Sequence, residues 1–241
     1  MSKTFVNIAD KSQQKGSTDM KFFAPLLIVL VFCLIAYLLM ILSIKLSNRL
    51  ASKRIIGRGI KNKDETVALL YAELTATKFV EDFNSPVYID GIRKYAHADT
   101  ILIRKNGIFV INICPYRGKI DNEDDYMWRR TAKTRHGPVE KTFPSPVVET
   151  KHAVAVIRHL LEKSGIDSSM IHGIVIISRL DADTMYEDEG VYRTQDAIKY
   201  IRNLNSKFIF ERKECKDISV YLSEKSEERP EIEVPNGEKR G

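Results

Sequence analysis

Hydrophobic and polar positions divide the chain into three regimes. Residues 22–44 read FFAPLLIVLVFCLIAYLLMILSI, a run of 23 without a charged side chain. As a helix it spans about 34 Å, enough for a hydrocarbon core of about 30 Å. A cleaved leader has a shorter apolar core, about 7–15 residues, and ends in small residues. This run ends Leu-Ser-Ile-Lys-Leu, which predicts an uncleaved anchor. A soluble chain of this size offers no core large enough to bury such a helix.

From residue 61 the pattern becomes amphipathic. Val67, Leu70, Tyr71 and Leu74 recur at helical spacing, predicting a helix over 63–79. Pro86 and the Val-Tyr-Ile after it predict a strand near 86–90. Two β-rich runs, 98–104 and 107–114, flank Lys105-Asn106-Gly107, a hairpin signal. Residues 115–144 mix Pro, Gly and charge and read as irregular. Ser145-Pro146 opens a helix whose apolar face is Ala153, Val156, Ile157, Leu160 and Leu161, with a stop at Gly165. His172–Ser178 reads as a buried central strand. A last helix is expected from Thr194 to about 204. The Glu- and Lys-rich stretch 211–241, with two prolines, is expected to be disordered. The order helix, three strands, helix, strand, helix predicts a mixed α/β sheet with helices packed on it.

Charge then orients the chain. The 241 residues carry a formal charge of +6, and the stretch 45–210 alone holds 27 basic against 21 acidic side chains. Upstream of the apolar run stand Lys11, Lys15 and Lys21. Downstream stand Lys45, Arg49, Lys53, Arg54 and Arg58. The excess places the C-terminal side in the cytoplasm. The basic linker 45–60 also suits anionic headgroups, at about 1 kcal/mol per residue. Three cysteines exclude a disulfide framework, and without a C-x-x-C pair they exclude a zinc ribbon. Cys114 and Cys215 agree with a reducing compartment, and Cys33 lies inside the apolar run. There is no Walker A loop, no G-x-G-x-x-G, no G-x-S-x-G and no H-E-x-x-H. The acids Asp181, Asp183, Glu187, Asp188 and Glu189 lack calcium-loop spacing and read as a loop.

Three motifs in order carry a family resemblance: Ala98-Asp99-Thr100-Ile101-Leu102-Ile103, then Asn106-Gly107-Ile108-Phe109-Val110-Ile111, then Tyr116-Arg117-Gly118-Lys119-Ile120. Trp128 and Ser145-Pro146 follow at fitting distances. From about Gly57 to Ser178 the chain resembles the nuclease-related domain (NERD) family. The resemblance implies a restriction-endonuclease-like, PD-(D/E)xK fold: a mixed central sheet flanked by helices, here behind one transmembrane helix. The domain is expected over 61–210, preceded by a polar tail (1–21), the anchor (22–44) and the linker (45–60).

In such a site an Asp on one strand and a Glu on the next chelate Mg²⁺, and a Lys two residues after the Glu supports the attacking water or the phosphate. Strand alternation puts Glu and Lys on one face. The resemblance assigns Asp99 to the first position and Asn112 and Cys114 to the Glu and Lys positions. Asn offers a neutral oxygen where a hard cation prefers a carboxylate. Cys brings no positive charge, and losing one such stabiliser costs about 10²–10³ in rate. Glu65 stands where the family places a further acid, with Asp64 in place of its glycine, and Glu149 replaces a helix glutamine. Lys119, Glu149 and Lys151 are the candidates for migrated catalytic groups.

Arg129, Arg130, Lys133, Arg135, His136 and Lys141 form a basic stretch beside Tyr126 and Trp128, a composition that suits a phosphate backbone with stacked bases. Glu123, Asp124 and Asp125 just before it oppose that reading. The sequence therefore predicts a membrane-anchored domain impaired in catalysis that binds DNA, RNA or a protein partner. No cofactor is expected in that case. The alternatives are an active nuclease using Mg²⁺, with Asp99 as its metal ligand, and a membrane adaptor with no nucleic-acid role.

Overall fold

The computed structural model describes residues 27–44, 46, 47, 50, 55, 60–89, 92–162, 164–184 and 190–226. The chain forms two compact units, Met1–Ala51 and Ser52–Gly241. In the first, helix α1 (Leu27–Ile44) has 18 residues and a mean hydropathy of 3.1, long and apolar enough to cross a membrane. Its length is about 27 Å at helical rise. The predicted tail 1–21, residues 22–26 of the predicted anchor and most of the linker 45–60 lie outside the described residues.

In the second unit, helix α2 (Lys63–Glu73) starts where predicted. Asn62 caps it, its side-chain oxygen accepting the Glu65 N–H at 2.9 Å. It ends earlier than 79. Leu74 is its C-cap, with φ −104° and ψ 76°, and Ala76 beyond it takes a left-handed φ of 59°. The chain then leaves as strand β1 (Lys78–Ile89), of which the strand predicted near 86–90 is only the end.

β2 (Ile92–Arg104) and β3 (Gly107–Cys114) form the predicted hairpin, with Arg104 paired to Gly107. Asn106 does more than turn the chain. Its amide donates to the carbonyls of Ile201 and Leu204 at 2.9 and 3.1 Å, tying the hairpin to a later helix. With β7 (Ile171–Ile177) and β9 (Val191–Arg193) these strands make a mixed sheet in the order β1-β2-β3-β7-β9.

β3 is the middle strand and is buried at every position. The stretch predicted as central, 172–178, runs parallel beside it as β7. Alternation sorts the β3 side chains. Ile108 and Val110 join Ala153 and Ile157 of helix α3 (Pro146–Glu162) on one face. Phe109, Ile111 and Ile113 meet Leu69 and Leu70 of α2 and Ile198 and Ile201 of helix α4 (Thr194–Asn203) on the other. α4 begins at Thr194, as predicted.

Two further expectations fail. Residues 115–144 are not irregular: β4 (Gly118–Asn122), β5 (Met127–Thr134) and β6 (Gly137–Pro144) form a second sheet, completed by β8 (Ala182–Thr184) in the order β6-β5-β4-β8. One face buries Ile120, Trp128 and Ala182 against Cys114, Val147 and Ile177. The other carries the charge that masked the alternation. Gly118 is required here, because with φ +90° a Cβ would stand 2.4 Å from the Thr131 carbonyl oxygen.

The tail is also folded in part. Helix α5 (Arg212–Lys225) opens with a reciprocal capping box between Glu211 and Glu214. It buries Cys215, Ile218 and Leu222 against the core containing Val80, Phe83 and Leu161. A narrow apolar stripe among Glu and Lys residues escaped the composition-based reading. Residues 227–241 lie outside the described residues.

Candidate functional site

The site begins where two strands part. The β2–β3 ladder runs from Arg104↔Gly107 to Thr100↔Ile111. Just past it, side chains take over the backbone pairing. Asn112 Oδ1 accepts the Asp99 N–H at 3.1 Å, and Asp99 Oδ2 accepts the Ile113 N–H at 2.6 Å. Asp99 and Asn112 thus join the separating strands.

The other Asp99 oxygen faces two basic side chains. Lys63, at the start of α2, donates from Nζ to Oδ1 at 2.6 Å, and His97 Nε2 lies 3.2 Å from the same atom. The Asp99 side chain is only 10% exposed, while that of Lys63 is 46% exposed. Burial opposes the charged carboxylate. The hydrogen bonds from His97 and Lys63, the Lys63 charge and the Ile113 N–H outweigh it and hold Asp99 below the usual carboxylate range. His97 is fixed from behind by Asn84 Oδ1, 3.0 Å from Nδ1. Asn84 is in turn oriented by donating to the Asp82 carbonyl at 2.9 Å.

Asn112, which the resemblance sets at the Glu position, is 2% exposed. Its amide nitrogen donates to the His97 carbonyl at 3.2 Å and to Thr150 Oγ1 at 3.0 Å. Thr150 passes its own proton to the Pro146 carbonyl at 2.6 Å. Both Asn112 donors and one oxygen lone pair are therefore committed inside the fold. The thiol of Cys114, which the resemblance sets at the Lys position, is buried, and burial pushes it up to about 11 despite the nearby charges of Lys63 and Arg130.

Glu65 sits in the first turn of α2, where its Oε2 accepts the Lys61 N–H at 2.8 Å. Lys119 pairs with Asp121 at 3.1 Å on β4. Glu149 occupies the first turn of α3, and Lys151 lines a cavity of about 300 Å³ with Val154 and Arg158. The lysine that the fold brings to Asp99 is Lys63. Among the described residues no three of His, Cys, Asp and Glu are grouped so as to hold a metal ion. The Asp99 surroundings do not fit Mg²⁺, which wants several oxygen ligands: they offer one carboxylate, already engaged by an ammonium group, and an amide held by backbone.

Strand alternation divides the basic stretch. Arg129 and Lys133 share one face of β5 with Thr131, beside Lys119, Asp121 and Glu140 of the neighbouring strands. Arg130 lies on the other face, its guanidinium 5.0 Å from the Tyr116 ring centre, an arrangement that also brings positive charge toward Cys114. Arg135 and His136 sit in the β5–β6 turn.

Sequence reading missed Lys63, His97, Asn84 and Thr150. His97 carried a usable signal, since two residues before Asp99 on a strand it must share that face. Lys63, 36 residues away, carried none.

Among known proteins, the family of the nuclease-related domain matches residues 62–178, which take in α2, Asp99, Asn112, Cys114 and the end of β7. No curated protein and no solved structure matches the chain. Residues 62–178 are a nuclease-related domain, in a chain that also carries one N-terminal helix long and apolar enough to span a membrane.

Proposed function

We propose that the chain is a membrane-anchored nuclease-related domain that has lost metal-dependent hydrolysis and acts as a nucleic-acid-binding module on the cytoplasmic side. The observation that carries this reading is the Lys63–Asp99 contact of 2.6 Å. It puts an internal ammonium where a hydrolytic site would use a cation. Asn112 supports the same reading, because its amide serves the backbone rather than an ion. The flanking charges favour an anionic partner: Lys63 and Arg130 both lie near Cys114, and the Arg130 guanidinium sits over the Tyr116 ring. The positive excess after the apolar run supports the cytoplasmic side.

The rival reading, a nuclease with relocated groups, gains a lysine in Lys63, while among the described residues no three of His, Cys, Asp and Glu are grouped to hold a metal ion. An adaptor without a nucleic-acid role is the third reading.

Binding of single- and double-stranded DNA and RNA to the full chain in detergent, followed against salt, separates them. The expected result is an affinity falling at least about tenfold between 50 and 200 mM salt. Neutralising Arg129, Arg130 and Arg135 to Gln should remove most of it. Absence of salt-sensitive binding would overturn the nucleic-acid reading and leave the adaptor.

A further inference from the structure

The strongest unassigned feature lies at the C-terminal end of β2, away from Asp99. Arg104 is five residues further along the strand, about 17 Å away at strand rise. There a cavity of about 540 Å³ is lined by Lys78, Arg104, Lys105 and Arg212, with Ile209 and Phe210 as an apolar wall. Its size falls in the range of small-molecule sites, about 300–1,000 Å³.

Four cationic side chains converge without a carboxylate among the lining residues. The acids nearest in sequence, Glu211 and Glu214, serve the α5 cap instead: the Glu214 carboxylate accepts the Glu211 N–H at 2.6 Å. Arg104 carries a buried donor without a partner. Its Nη1 donates to Thr77 Oγ1 at 3.0 Å and the Thr75 carbonyl at 3.4 Å, but its Nε is buried with no partner. The neighbouring charge is another guanidinium, Arg202, which is itself occupied by Glu73 at 3.4 Å. Burial and Arg202 both disfavour the charged form of Arg104. A half-buried cation with a like-charged neighbour and an orphan donor is relieved by a bound anion.

We propose that this cavity binds a phosphate-bearing small molecule of nucleotide size. Its phosphates lie on Arg104, Lys105, Lys78 and Arg212, and its flat or apolar part lies on Phe210 and Ile209. This site is independent of the Asp99 constellation and of whether that constellation hydrolyses anything.

The test is calorimetric titration of the full chain in detergent with ADP and with inorganic pyrophosphate. Anionic phosphatidylserine vesicles and a short oligonucleotide serve as separate arms. The expected result is saturable one-to-one binding of ADP tighter than about 1 mM, competed by pyrophosphate. Arg104→Gln should weaken ADP by about tenfold or more, as loss of a charge-assisted contact does. Phe210→Ala should weaken ADP more than pyrophosphate. Should Arg104→Gln fail to fold, the Lys105→Gln/Arg212→Gln pair keeps the test open, since both side chains are exposed and neither forms an ion pair with a described residue. The double variant should lose about tenfold. No saturable ADP binding, binding unchanged in the double variant, or binding confined to pyrophosphate, vesicles or the oligonucleotide would each overturn the proposal.

Discussion

Lys63 Nζ and Asp99 Oδ1 stand 2.6 Å apart, joining the first turn of α2 to the middle of β2 across 36 residues of sequence. The pair ties helix to sheet and sets a positive charge against the buried Asp99 carboxylate. A double-mutant cycle with Lys63→Met and Asp99→Asn should give a coupling energy of about 1 kcal/mol in urea unfolding. The value is kept small because Lys63 is half in solvent, which screens the attraction. A coupling indistinguishable from zero would mean that the contact contributes nothing to stability.

The depressed Asp99 carboxyl makes stability depend on acid. The group favours the native state fully above its unfolded value, about pH 3.9. That contribution is lost as pH falls from there through the lower native value. Urea midpoints between pH 2 and 7 should therefore fall more steeply below about pH 4 for the native chain than for Asp99→Asn. Parallel curves would show that Asp99 titrates alike in both states.

Asn112→Ala should cost about 2–3 kcal/mol, read from urea unfolding. The substitution removes the acceptor of the Asp99 N–H and the donor to the His97 carbonyl and Thr150 Oγ1 at a largely buried position. A loss below about 0.5 kcal/mol would show that the amide does not hold the strands.

The sequence shows some of this and hides the rest for physical reasons. Local signals worked. Asn106-Gly107 gave the hairpin, Ser145-Pro146 and Thr194 gave helix starts, and alternation put Asn112 and Cys114 on the face of Ile108 and Val110. Where charge dilutes a narrow buried face the reading failed. Ile120, Trp128 and Ala132 turn a basic stretch into a sheet, and Cys215, Ile218 and Leu222 turn an acidic tail into a helix. Contacts made only in three dimensions, Lys63 with Asp99 and Asn112 with Thr150, leave no local trace.

Helix α5 belongs to the domain core, so its apolar stripe should be costly to remove. Leu222, fully buried, should lose about 2–4 kcal/mol as Leu222→Ala, measured by urea unfolding. A change below about 0.5 kcal/mol would mean that the helix does not dock.

In the function proposed, the Lys63 ammonium and the Asn112 amide stand where a hydrolytic centre would hold a metal. The most direct measurement is a time course of phosphodiester cleavage by the full chain with Mg²⁺ or Mn²⁺, beside Asp99→Ala prepared identically. No divalent-dependent cleavage above that of the Asp99→Ala sample is expected. Cleavage that requires the metal and disappears with Asp99→Ala would contradict it.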